Sequence, residues 1–176
     1  MPVAKPAARQ KTAPDEGPRY WLMKSEPSVF SIDDLARRPR KTTHWDGVRN
    51  FQARNMLRDD MKKGDLAFFY HSSCEVPGIY GVMRIAREGY PDPSAFDPDD
   101  SHFDPKSDPS KPTWYVVDVQ LLRRFAQPVT LEALRALSEG DLRDMQVLRR
   151  GNRLSITPVS PAEFRCVMAR AGERID

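Results

Sequence analysis

The chain has 176 residues, 39% hydrophobic and 30% charged, with a formal charge of +3, which suits one buried core and a single folded unit. No run approaches the roughly 18 consecutive apolar residues of a membrane span and the N-terminus has no signal-peptide core, so the expectation is a soluble monomer, cytoplasmic or, in a eukaryote, nuclear, with no membrane partner. Cys74 and Cys166 lie far apart and the three histidines are scattered, which argues against a disulfide framework, a metal site or any other cofactor.

Met1 to about Arg19 is rich in Ala, Pro and Lys without apolar periodicity and reads as a disordered basic tail, with the folded domain over residues 20–176. Tyr20 to Lys24 reads as a strand, ended by Ser25-Glu26-Pro27 because proline has no amide to donate. Ser31 then caps a short helix, with Asp33 and Asp34 at its positive end, Arg37 and Arg38 at the other, and Pro39 as a stop. Between Arg37 and Lys63 nine cations face three aspartates, a polarity that favours a polyanionic partner and otherwise reads as solvated surface.

Trp45 to Asn50 reads as a loop, with Asp46-Gly47 as a turn signal and Asn50 as N-cap of a helix through about Asp60. Lys63-Gly64-Asp65 turns the chain into a strand, Leu66 to His71, too apolar to be exposed on both faces, and a loop with Pro77-Gly78 leads to a partner strand, Ile79 to Arg87. Tyr90 to Pro112 holds six of the sixteen prolines and most of the excess acid, and reads as an ordered excursion or a flap. Trp114 to Phe125 is the longest strand candidate, followed by helices at Thr130 to Leu137 and Leu142 to Leu148 and a closing strand at Arg153 to Thr157. The last helix carries the fullest signal: Ser160 at the cap, Pro161 at the first position, Glu163 completing a capping box, and Phe164, Val167, Met168 and Ala171 along one face. About five mostly antiparallel strands with helices between them predict an α+β chain, a small barrel or rolled sheet with helices outside.

Several runs in order resemble one family. Tyr20-Trp-Leu-Met-Lys-Ser-Glu-Pro, Trp45-Asp-Gly-Val-Arg-Asn with Gln52-Ala-Arg-Asn, Phe69-Tyr-His-Ser, Tyr90-Pro-Asp and Phe103-Asp-Pro-Lys-Ser are similar to the EVE domain of the thymocyte nuclear protein family, over Tyr20 to Ala171. The resemblance implies a PUA-like fold, a bent β-barrel of mainly antiparallel strands with flanking helices. It places the chain beside YTH domains, which cage a methylated adenine of RNA, and SRA domains, which hold a flipped modified cytosine of DNA. The implied function is a non-catalytic reader of a modified base, methylated or hydroxymethylated cytosine or similar, in DNA or RNA.

A base lifted from its stack costs a few kcal/mol, which a pocket offsets by aromatic stacking and by hydrogen bonds to the base edge. By the YTH analogy Trp45 is the expected stacking wall, Lys24 and Ser25 the edge contacts, and Asn50 a polar reader or simply a helix cap. Phe69, Tyr70, His71 and Ser72 are expected as the opposite wall and rim, Val48 as part of the pocket, and Tyr90 and Asp92 as its closure, Asp92 accepting from an exocyclic amine. Lys41, Arg49 and Arg54 are the expected phosphate contacts. Trp21 and Trp114 read as core rings, Ser25 equally as a turn residue, and His71 also as a satisfied hydrogen-bonding group. Two rival readings stand beside the reader: an enzyme with Cys74, His71 and Asp92 as nucleophile, base and orienting acid, and a protein-interaction module that docks a basic partner on residues 90–108.

Overall fold

The computed structural model describes residues 17–175; the tail expected over residues 1–19 lies outside them apart from its last three positions. Six strands form one sheet: β1 Tyr20–Ser25, β2 Thr42–His44, β3 Leu66–His71, β4 Gly78–Pro91, β5 Tyr115–Thr130 and β6 Ile156–Val159. They are ordered β2-β5-β4-β3-β1-β6, with β1 and β3 parallel and the other neighbours antiparallel. Four short helices, α1 Ile32–Arg37, α2 Phe51–Asn55, α3 Leu131–Ala136 and α4 Pro161–Ala171, complete the α+β architecture.

The caps fall where the sequence places them. Ser31 accepts the Asp34 amide while Asp34 reaches back to the Ser31 amide, and Ser160 and Glu163 form the same reciprocal pair at α4, which Gly172 ends in the left-handed conformation. Asn50 caps α2, which runs on through a π turn at Met56–Asp60. The second expected helix near Leu142 is only a 3-10 turn at Gln146–Leu148.

Strand β2 is the element that the sequence reading lacks. Thr42-Thr43-His44 is too short and too polar to carry a periodic signal, and it is a strand because β5 supplies its hydrogen bonds, Thr42 opposite Gln120 and His44 opposite Asp118. Strands β4 and β5 outrun their expected spans, and four register shifts along their ladder mark irregularities that bend the ribbon.

Pleating divides the interior in two. Trp21 and Met23 of β1 and Ala67 and Phe69 of β3 point to the face covered by α1 and α2. Leu22, Phe68 and Tyr70 point to the face where Leu134 of α3 and Phe164, Val167 and Met168 of α4 pack. Gly81 lets α1 sit directly on β4: a Cβ there would lie 2.6 Å from Cδ1 of Ile32 and 2.3 Å from the Arg123 carbonyl. Trp21 and Trp114 are core rings, with Nε1 donating to Asp65 and Asp104 respectively. No helix among the described residues is long and apolar enough to cross a membrane.

The excursion after β4 is ordered by its own acid. Asp97, Asp100, Asp104 and Asp108 each accept the amide two residues on, closing a series of side-chain turns. Its acidic character therefore has a local structural use.

Candidate functional site

At the C-terminal ends of the parallel pair β1 and β3 lies a cleft of about 870 Å³, within the size range of small-ligand pockets. Lys24, Ser25 and Glu26 leave β1 along one side, Val29 and Phe30 come from the turn before α1, and Arg38 follows α1. Thr43 and His44 of β2 lead into Trp45, Asp46 and Gly47, and Asp99 to His102 reach across from the excursion. The Ser25 hydroxyl donates to the Phe30 carbonyl (2.5 Å), and the Ser25 carbonyl accepts the Ser72 amide (3.0 Å), so the corner is fixed from both sides.

An aromatic cluster lies beneath the cleft, and of its members Phe30 and Trp45 reach the lining. Phe69, fully buried, stands under Trp45 (5.3 Å between centroids, edge to face) and Phe30 (6.3 Å), with His71 beside it. Trp45 is only 7% exposed, so it offers the cleft part of one ring rather than a free wall. Gly47 has φ +76°, and a Cβ there would lie 2.5 Å from the His102 ring; only glycine allows this conformation and this approach together.

The cleft's charges are of mixed sign. Glu26, Asp46, Asp99 and Asp100 line it with the permanent cations Lys24 and Arg38, so carboxylates outnumber them four to two. Partial burial lowers the Lys24 ammonium from its ordinary value, and Arg38 lies over the Phe30 ring at 5.6 Å. His102 Nδ1 lies 3.2 Å from Asp100, and His44 Nε2 lies 3.7 Å from Asp46.

Of the residues expected in a pocket, Lys24, Ser25 and Trp45 line this cleft, and the others have different surroundings. Val48 is buried core beside α2, and Asn50 spends its Oδ1 on the Ala53 amide. Tyr70 points to the opposite face of the sheet from Phe69. His71 is buried, stacked on Tyr80 at 3.9 Å, and its Nε2 accepts the Ile32 amide at 3.1 Å, so burial keeps it neutral and lowers its pKa. Burial raises the Tyr90 pKa, and the hydrogen bond that its hydroxyl donates to Asp118 adds to this.

Asp92 does not close the cleft. Its carboxylate is wholly buried and accepts from Gly47, Arg49 and Ser94, so it shapes the Trp45 loop from behind. Arg49 is committed in turn to Asp92, Ser94 and the His102 carbonyl (2.7 Å). Arg54 donates to the Thr113 carbonyl (2.7 Å) and lies over the Phe51 ring, whereas Lys41 is exposed. With His71 and Asp92 bound elsewhere, the nucleophile-base-acid set of the rival enzyme reading, with Cys74, lacks two free members.

Beyond Lys24, Ser25 and Trp45, sequence reasoning missed the lining, including Glu26, Phe30, Arg38, His44, Asp46 and Asp99 to His102. Phe30 had a signal, an aromatic between a proline turn and a helix cap; the excursion residues had none, because only the Arg49 and Gly47 contacts bring them across.

Residues 19–170 match the EVE domain family. Thymocyte nuclear protein 1 of Rattus norvegicus is 44% identical over 165 residues, covering 85% of this chain and 72% of the relative. The crystal structure of human THYN1 protein in complex with 5-methylcytosine containing DNA superposes with a TM-score of 0.82 at 43% identity, covering 89% of this chain and 99% of that one. The YTH domain of the Zygosaccharomyces rouxii MRB1 protein, solved with N6-methyladenosine RNA, shares the fold alone, with a TM-score of 0.50 at 11% identity over 96% of each chain.

Proposed function

The chain belongs to the EVE domain family and has its PUA-like α+β fold, and from that premise we propose that it is a non-catalytic reader of DNA that takes 5-methylcytosine into the Trp45 cleft. The observation that carries this reading is the cleft itself, where Trp45 and Phe30 stand among hydrogen-bonding groups, in a chain 43% identical to a protein solved with DNA containing that base. Trp45 and Phe30 meet the ring and its methyl group. The Lys24 ammonium meets the acceptor edge, N3 and O2.

The acidic lining decides what kind of base fits. Cytosine presents an exocyclic amine where thymine presents a carbonyl, and a carboxylate accepts from the first and repels the second. Thymine carries the same 5-methyl group, so apolar contact alone does not separate the two. Glu26, Asp46, Asp99 and Asp100 supply the acceptors that do.

The test is fluorescence anisotropy with short duplexes that carry cytosine, 5-methylcytosine or thymine at one position, and with RNA strands in parallel. Burying one methyl group is worth about 0.8 kcal/mol, so the expected preference for 5-methylcytosine over cytosine is about fourfold. Trp45→Ala is expected to erase it, and Asp46→Asn with Asp99→Asn to admit thymine while the melting temperature holds. Equal binding to all three duplexes would sink the reading, and a preference confined to methylated RNA would transfer it to RNA.

A further inference from the structure

We infer that the turn Arg38–Lys41 is a built phosphate-binding turn that grips the nucleic-acid backbone beside the cleft; the inference rests on the nucleic-acid reading but concerns the backbone rather than the base. The first observation is conformational. Arg40 (φ +56°) and Lys41 (φ +52°) are consecutive non-glycine residues in the left-handed region, which L-residues other than Asn, Asp and Gly rarely enter. Such outliers persist only where the surroundings over-determine them.

The surroundings do so here. The Arg40 carbonyl accepts from Thr42 Oγ1 (2.9 Å) and from Gln120 Nε2 (3.2 Å), Gln120 Oε1 accepts from Arg84 in turn, and the Lys41 amide donates to the Arg38 carbonyl (2.8 Å). The turn is pinned to β5 through its backbone. Its side chains carry none of that load: Arg40 and Lys41 are exposed, and among the described residues neither they nor Arg38 form an ion pair. A left-handed turn that glycine would fill without strain is occupied by cations held outward.

The second observation is electrostatic. The cleft has more carboxylates than permanent cations, so it repels phosphate, and the backbone of a bound strand must be held at its rim. Arg49 and Arg54 are tied to protein acceptors and do not serve that purpose. The Arg38–Lys41 turn has free cations at the right place, since Arg38 lines the cleft and Thr43 and His44, directly after the turn, line it as well.

Arg40→Asn with Lys41→Asn tests this, because asparagine tolerates the left-handed region and removes only the charges. Binding is measured to the cytosine and 5-methylcytosine duplexes over a series of salt concentrations. Each phosphate that a cation no longer neutralises lowers the slope of log K against log salt by roughly 0.9, so the double variant is expected to lower it by about 1.8, equally for both duplexes, with the melting temperature unchanged or raised. Arg40→Lys is expected to keep most of the slope. An unchanged slope in the double variant overturns the inference, and so does a fall in melting temperature, which would make the cations structural. A wild-type chain with no 5-methylcytosine preference, but whose slope still falls in the double variant, overturns the base reading and leaves the turn standing. A wild-type chain that binds no DNA overturns both.

Discussion

Two buried titratable groups hold the cleft in shape, and their protonation sets its acid limit. His71 must be neutral to accept the Ile32 amide, and burial lowers its pKa, with Asp33 only partly opposing. In the unfolded chain histidine titrates near 6.5, about the ordinary value. As pH falls below that value the unfolded state binds a proton that the folded state refuses, so stability drops until the folded pKa is passed and then levels. Asp92 acts lower down. Its burial raises the carboxyl pKa, but hydrogen bonds from Ser94, Arg49 and Gly47 outweigh this and hold it below the ordinary carboxylate value. Its contribution is complete above the unfolded value, about 3.9, and is lost as pH falls through the folded one. The melting temperature is therefore expected to decline in two stages, from about pH 6.5 and again below about pH 4. His71→Gln keeps an acceptor for the Ile32 amide and should lose the first stage only. An undiminished first stage in that variant would mean that His71 is not its source.

Among the elements, α2 shows how a capped helix serves a site it does not touch. Asn50 Oδ1 accepts the Ala53 amide at 3.0 Å and fixes where the Trp45 loop ends. Asn50→Ala should cost about 1 kcal/mol, or about 2–4 °C in melting temperature for a chain of this size, whereas Asn50→Asp, an equal cap, should leave it nearly unchanged. A full loss with aspartate would mean that the amide nitrogen carries the stability. The caps were legible beforehand because their chemistry is local: Ser31 at one helix start, and Ser160 with Glu163 at another, read directly from spacing. Strand β2 and the inner side of the excursion were not. Thr42-Thr43-His44 becomes a strand only because β5 lies beside it, and His102 enters the cleft only because Arg49 holds its carbonyl and Gly47 has no side chain in its way. The same long-range bonding took Arg49 and Asp92 out of the roles their residue types suggested, since neither partner is near the other in sequence.

At the scale of the whole molecule the sheet separates two cores, and the cleft belongs to one of them. A contiguous run such as Phe69-Tyr70-His71-Ser72 reads as a single wall, but a strand alternates its side chains, so Phe69 faces the Trp45 side and Phe68 and Tyr70 face α3 and α4. The period of two, applied to β3 residue by residue, would have split that wall in advance; what it would not have said is which side holds the cleft, because that depends on where Trp45 and Phe30 arrive from other elements. The division makes a prediction that separates stability from recognition. Phe68 and Phe69 are adjacent and both fully buried, so Phe68→Leu and Phe69→Leu should each cost about 1–3 kcal/mol. Only Phe69 supports the Trp45 ring, at 5.3 Å; Phe68 stacks on Phe164 of α4 at 4.8 Å, across the sheet. Phe69→Leu should therefore lower the preference for 5-methylcytosine, and Phe68→Leu should leave it intact at a temperature where both variants are folded. Equal loss in both would mean that the cleft responds to softening of the whole sheet, because a cleft held up by its own core is indifferent to the packing behind it.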